Sequence, residues 1–240
     1  MRQLDVLTWN LWGLPWPLAR QRRRRFARAA RWLSRQAWDL VALQEAWHPH
    51  HRELAVPGLR RVEDRGDAGL AVSGTLARNA SLEQVRFAAR ASVDRFKAKG
   101  LLLAHTGGLV MASTHLQAGL RHASVRRAQL EQLLAVLAER REPVVLLGDL
   151  NLHGDHETDL GSARLLGDAG FRDVAQALRA AAPTWSPRNP FVPTGAAPER
   201  FDRIYVRDGE LGSLVPVRVR TLPAIASDHL PVAASLIWRS

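Results

Sequence analysis

An α/β fold, with helices flanking a parallel or mixed layered sheet, is what this sequence predicts. Three observations carry the prediction. The short apolar runs LDVLTWN and DLVALQ bracket one helical pattern, and PVVLLGD follows a second. Between residues 59 and 114 strand-like segments succeed one another, separated by glycine-containing turns. The hydrophobic fraction is 46% of 240 residues, enough for a sizeable core, which excludes disorder and fibrous architectures for the chain as a whole.

Leu4–Asn10 alternates and reads as a buried strand. The Trp/Pro-rich loop LWGLPWP follows, then a helix over Ala19–Ala37. Its apolar positions Phe26, Ala29, Ala30 and Leu33 recur at three and four, which sets the arginines on the wet face. Asp39–Gln44 is a second short strand, so Asn10 and Glu45 both end strands joined by a helix, the arrangement that gathers functional residues at one rim. Strands are expected near 59–63, 69–73, 82–90, 100–104 and 109–114. A helix over His122–Arg140 ends before Pro143, and Val144–Leu147 is a buried strand that delivers GDLN. A helix near 159–168 closes at Gly170. Residues 183–198 hold five of the thirteen prolines and read as an irregular loop, before strands at 201–206, 214–220 and 230–238. No linker or repeat divides the chain, so one domain over 1–240 is expected.

Composition narrows the chemistry. There is no cysteine, which excludes disulfides, thiolate metal sites and cysteine nucleophiles. No apolar run reaches about 18 residues, so no spanning helix is expected. A strand begins within a few residues of Met1, which leaves no room for a secretory signal and makes the cytoplasm the expected location. The net charge is +11, and residues 19–35 carry eight arginines and no acid, leaving +3 for the rest. Lys97 and Lys99 are the only lysines among 34 basic residues, a skew that reads as compositional bias rather than as evidence for nucleic acid. The basic face still attracts phosphates of any kind.

Polar residues recur where apolar strands end: Asn10, Glu45, His115, Asp149 with Asn151, Asp202, and Asp228 with His229. Each alone is usually a turn residue or a hydrogen-bonded core histidine. Their recurrence in one chain points to a site, because a carboxylate beside a buried strand end is costly unless paired or metal-bound. Hard oxygen ligands without cysteine suit Mg²⁺, with Mn²⁺ or Ca²⁺ as substitutes. His48, His50 and His51 lack the spacing of a helical zinc site, and His153 and His156 read as solvated loop residues or as the rim of a cleft.

In order along the chain, NLW, QE, STHLQ, GDLN, FDRIY and SDHLPV resemble the endonuclease/exonuclease/phosphatase superfamily over residues 4 to 238. The resemblance implies a four-layered α/β/β/α sandwich of two packed mixed sheets with its site at one rim. It also implies that Glu45 binds Mg²⁺ with Asn10 beside it and Asp228 nearby. Asp149 and Asn151 would orient the attacking water and the phosphate. Asp202 would fix the tautomer of His229, which would act as general base or as a charge that stabilises pentavalent phosphorus. Either His229 or Asp149 would activate the water, and His115 would contact the phosphoryl oxygens or protonate the leaving group. Within the superfamily, THLQAG with the following R-x-x-Q-L pattern (Arg126, Arg127, Gln129, Leu130), DRFKAKG, GLAVS and NLWGLPWP are most similar to neutral sphingomyelinases, with Lys99 in reach of a phosphate. Where that family often has Ile-Asp-Tyr, this chain has Phe201-Asp202-Arg203, which adds a cation beside the Asp.

The expected activity is Mg²⁺-dependent hydrolysis of a phosphodiester, either a phospholipid headgroup or a small diester. A nuclease is the first rival; a phosphomonoesterase and a silent phosphate-binding module follow. The loop Trp12–Trp16 is the candidate lipid interface, unless it packs on the neighbouring helix. The Arg20–Arg35 face would meet anionic lipid or a nucleic-acid backbone, unless it is simply a solvated surface, and no obligate protein partner is expected.

Overall fold

A computed structural model of the chain describes residues 1–47, 50–62, 68–91, 99–154 and 156–240. The elements are β1 (Arg2–Asn10), α1 (Arg22–Leu33), β2 (Leu40–Gln44), β3 (Ala71–Ser73), β4 (Ser81–Arg86), β5 (Gly100–His105), β6 (Val110–His115), α2 (Ala123–Ala138), β7 (Val144–Asp149), α3 (Glu157–Asp168), β8 (Arg172–Asp173), α4 (Val174–Ala177), β9 (Asp202–Arg207), β10 (Ser213–Thr221) and β11 (Val232–Arg239). They form two mixed sheets, β10-β11-β1-β2-β3 and β4-β5-β6-β7-β9-β8.

Strand alternation dictates the layers, because successive side chains leave a strand on opposite faces. Leu4, Val6, Leu40 and Ala42 of one sheet meet Leu102, Met111, Val145, Leu147 and Ile204 of the other in the central core. The outward residues of the first sheet, Leu7, Trp9, Val41 and Leu43, are covered by Phe26, Ala29, Ala30 and Leu33 of α1. The outward residues of the second, Leu101, Leu103, Val110, Val144 and Leu146, are covered by Leu130, Leu133 and Leu137 of α2 and Leu166 of α3. The result is a four-layered α/β/β/α sandwich whose central strands are apolar on both faces. Burying each of these leucines contributes about 1.5–3 kcal/mol.

Several boundaries differ from the sequence reading. α1 starts three residues later than expected, because Gln21 adopts a left-handed conformation (φ 52°) at its N-cap, and ends four earlier, with Ser34 as its C-cap. The strand expected at 59–63 is reduced to a single bridge between Arg60 and Val72, and β4 ends at Arg86 rather than 90. Residues 94–98 of the DRFKAKG segment and His48 of the histidine cluster lie outside the described residues. No described helix is long and apolar enough to cross a membrane.

Candidate active site

Register brings the polar strand ends together. β1 and β2 run parallel with Asn10 opposite Gln44, so Glu45 follows directly at the same rim. In the other sheet, β6 and β7 are parallel with His115 opposite Asp149, and β9 is antiparallel to β7 with Asp202 opposite Asp149. Residues opposite one another on paired strands share a face, so His115, Asp149 and Asp202 form one row. Gly148 (φ 152°) permits the close β6–β7 approach there; a Cβ would lie 2.0 Å from the Thr114 carbonyl oxygen.

Asp149, 1% exposed, is the hub. Its Oδ2 accepts from Asn10 Nδ2 at 2.9 Å, which joins the two sheets, and lies 3.4 Å from His115 Nε2 and 3.9 Å from His229 Nε2. Its Oδ1 accepts the Asn151 backbone N–H at 3.0 Å, closing the GDLN turn, in which Asn151 adopts φ 50°. The Asn151 side chain donates to the Leu116 carbonyl at 3.1 Å. Burial pushes the Asp149 carboxyl up from its ordinary range, and His229 pulls it back in part.

His229 is held on its far side. Its Nδ1 lies 2.7 Å from Asp202 Oδ2, which also accepts from the Thr184 hydroxyl at 2.6 Å. The Asp202 backbone N–H returns a bond to that hydroxyl at 3.1 Å. Burial alone would lower the His229 pKa, but the charges of Asp202, Asp228 and Asp149 outweigh it and hold the imidazole protonated well above its usual range. Trp9 Nε1 donates to the His229 carbonyl at 3.0 Å, and Asn189 Nδ2 donates to the Ser227 and Asp228 carbonyls at 2.8 and 3.0 Å. The SDH loop is thereby fixed from two elements. The Asp228 carboxylate is partly exposed, accepts from the Ser227 hydroxyl at 3.2 Å, and acts electrostatically on Glu45 and His229.

Glu45 stands apart. It is 9% exposed and takes a left-handed backbone (φ 58°), a conformation that costs a non-glycine residue about 1–2 kcal/mol. Gly13 packs directly on it: a Cβ there would sit 1.7 Å from the Glu45 carbonyl oxygen. Its Oε1 has a long contact of 3.4 Å from Asn10 Nδ2, while its buried Oε2 has no hydrogen-bond partner among the described residues. Burial pushes this carboxyl up as well, with the Lys99 charge opposing. A buried carboxylate oxygen without a donor, beside the Asn10 amide and within the electrostatic reach of Asp149 and Asp228, could accept a hard divalent cation.

Among the described residues, one group of three places ligand atoms within 4.8 Å of one another: Asp149, Asp202 and His229. Hydrogen bonding already accounts for that proximity, because Asp202 Oδ2 and His229 Nδ1 are committed to each other. Glu45, whose Oε2 is uncommitted, could hold a metal as well.

Other sequence expectations resolve differently. Lys99 is 2% exposed and donates from Nζ to the Leu116 carbonyl at 3.2 Å, and its charge is felt by Glu45 and Asp149. Arg203 does not join Asp202: alternation along β9 turns it to the opposite face, where it donates to the Leu152 and Arg200 carbonyls. His153 is not a solvated loop residue, for its Nδ1 lies 2.9 Å from Glu199 and its ring packs edge-on against Phe201. Arg25 leaves the wet face of α1 altogether and is buried. Thr184 and Asn189 come from an irregular proline-rich segment that carries no periodic signal, and Ser227 lies within the SDHLPV motif without a role that spacing alone would assign it.

The model of the Endonuclease/Exonuclease/phosphatase family matches residues 7–229. Human sphingomyelin phosphodiesterase 2 is 25% identical over 197 residues, 72% of this chain and 46% of that protein, so the chain spans about half the length of the curated relative it matches. Among solved structures, D. rerio TDP2 complexed with single-strand DNA product has a TM-score of 0.81 at 21% identity, covering 98% of this chain and 99% of that one. Sphingomyelinase C from Streptomyces griseocarneus has a TM-score of 0.71 at 21% identity, again covering 98% and 99%. At these identities the structural likenesses establish the fold.

Proposed function

Because the chain belongs to the endonuclease/exonuclease/phosphatase family, whose name is that of phosphate-ester hydrolases, we propose that it is a metal-dependent phosphodiesterase. The observation that carries the reading is the Asp149 carboxylate, which touches Asn10 and faces both His115 and His229, the latter backed by Asp202.

Glu45 and Asn10, with Asp228 nearby, would hold Mg²⁺, for which Mn²⁺ or Ca²⁺ would substitute. When bound, such an ion neutralises charge that develops on the phosphoryl oxygens. In this reading Asp149 accepts the proton of the attacking water, since burial makes its carboxylate a stronger base than usual. The water oxygen bonds to phosphorus as the ester P–O bond breaks. His229, kept cationic by its carboxylate neighbours, donates to a phosphoryl oxygen from Nε2. Asn151 orients the phosphate, His115 supplies the leaving oxygen with a proton, and the Lys99 charge favours phosphate binding.

The sphingomyelin phosphodiesterase relative favours a phospholipid diester as substrate, and the fold shared with a TDP2 bound to single-strand DNA product favours nucleic acid as the second reading. The test is hydrolysis of sphingomyelin vesicles, plasmid DNA and structured RNA with Mg²⁺, each beside His229→Ala. Phosphocholine release that the variant lacks supports the first reading; nicked plasmid or cut RNA that it lacks supports the second. Phosphodiester cleavage unaffected by the variant or by a chelator would overturn the proposal.

A further inference from the structure

The loop between β1 and α1 is divided in two by a buried cation. Arg25 is 2% exposed and has no carboxylate partner within ion-pair distance among the described residues; its guanidinium is satisfied by backbone carbonyls. Those carbonyls are Leu11 (2.8 Å) and Trp12 (2.8 Å) at one foot of the loop, Arg20 (2.8 Å) at the other, and Ala226 (3.2 Å), just ahead of the SDH segment. Burial lowers its pKa to about 10, yet it remains charged at neutral pH. Trp12 lies over the guanidinium at 4.6 Å and beside Phe191 at 5.8 Å, so this tryptophan is folded inward.

The rest of the loop is turned outward and is itself well formed. Leu18 and Ala19 N–H groups donate to the Pro15 carbonyl, Ala19 is buried, and Arg22 reaches the Leu14 carbonyl. At the tip Trp16 is 82% exposed and Leu18 62% exposed. Behind them stand Arg20, Arg23 and Arg24, all exposed, and residues 19–35 contain no acid. Desolvating a guanidinium to staple both feet of a loop is costly, and here it fixes a tip that presents an indole and an isobutyl group to water.

We propose that the Leu14–Arg20 tip and the arginines of the first turn of α1 form a peripheral docking surface for an anionic lipid bilayer. Tryptophan partitions to the headgroup boundary, leucine adds apolar area, and arginines behind them meet lipid phosphates. Nucleic acid is the less suited occupant: phosphates would satisfy the arginines, but an exposed leucine gains nothing from a phosphate backbone. The surface deepens the phospholipid reading above, because Arg25 ties the tip to the segment that carries Asp228 and His229.

The test is co-sedimentation with sucrose-loaded vesicles of phosphatidylcholine alone or mixed with phosphatidylglycerol, at low and high salt. The chain should bind the mixed vesicles, and Trp16→Ala/Leu18→Ser should weaken that binding roughly tenfold or more. Arg23→Gln/Arg24→Gln should weaken it several-fold, at low salt only. Arg25→Met, which alters no exposed side chain, should also weaken it by releasing the tip. Turnover of the soluble diester bis(p-nitrophenyl) phosphate should stay unchanged in the Trp16→Ala/Leu18→Ser variant, so failure to dock and failure to hydrolyse are separable. Unchanged sedimentation of that variant, or no binding of the wild type to either vesicle, overturns the proposal. So does tight binding of single-stranded DNA through the arginines that displaces the vesicles and is indifferent to Trp16 and Leu18.

Discussion

At the scale of single residues, His229 owes its charge to its neighbours. His229→Ala removes the cation facing Asp149 and should lower kcat by about a thousandfold or more with an unchanged circular dichroism spectrum. A folded variant with full activity would refute the site. Thr184→Val is the subtler probe: the hydroxyl donates to Asp202 Oδ2 and accepts the Asp202 N–H, so its loss leaves two buried groups short of a partner. We expect a cost of about 1–3 kcal/mol in urea unfolding and a fall in kcat of roughly tenfold with KM little altered, since one bond orienting a catalytic pair is worth on the order of 1.4 kcal/mol. A loss confined to KM would place Thr184 in substrate binding instead. Asn10, Glu45, His115 and Asp149 are legible together because each ends or directly follows an apolar strand, while Asp202 opens β9 and His229 precedes β11, which brings them to the same rim from the other direction. Thr184 and Asn189 are not, since they lie in an irregular proline-rich segment. Arg25 departs from the wet face because helical periodicity places a Cα on a face but does not say where a long side chain ends.

Elements show the same division between what periodicity encodes and what tertiary contact adds. The cores of α1 and α2 were readable from apolar spacing, whereas β8 and α4, two and four residues long, are too short to hold a period. The join between α2 and α3 is a fully buried ion pair, Arg126 Nη2 to Asp159 Oδ2 at 2.6 Å. It reaches further: Arg126 also donates to the Gln117 and Gly119 carbonyls, and Asp159 accepts the His153 N–H. The loops leaving His115 and Asn151 are thus braced from behind by one pair. Arg126→Met leaves the Asp159 carboxylate buried without its cation and should cost about 3–5 kcal/mol, while Arg126→Met/Asp159→Leu should recover a good part of that loss. Urea midpoints of the two variants decide this. Equal destabilisation by both would mean that the carbonyl bonds, rather than the charge pair, hold the loops.

Across the whole molecule, the rim sets Asp202, Asp228 and Asp149 around one imidazole, with Glu45 at the same rim, while the chain as a whole is +11, and the consequence is a stability that depends on protons and cations together. Glu45 and Asp149 bind protons more tightly in the folded chain because burial raises them, and His229 does so because carboxylates surround it. For all three the folded state holds more protons than the unfolded state, so stability must fall as pH rises. The fall begins above the ordinary carboxylate range near pH 4 and continues past about 6.5, where an unfolded histidine deprotonates. Asp208, lowered chiefly by its hydrogen bond from Arg172, acts in the opposite sense, but its contribution is already complete above pH 4 and leaves the window flat. Thermal unfolding in a chelator should therefore give a Tm that declines from about pH 5 to 8. Mg²⁺ should raise Tm more at pH 8 than at pH 5, since a cation bound at Glu45 takes the place of protons as the neutralising charge. Glu45→Gln should flatten the decline and abolish the Mg²⁺ response while keeping or raising Tm in the chelator, because it removes a buried, incompletely bonded charge. A Tm that rises with pH in the chelator, or a Glu45→Gln chain still stabilised by Mg²⁺, would place the cation elsewhere on the rim.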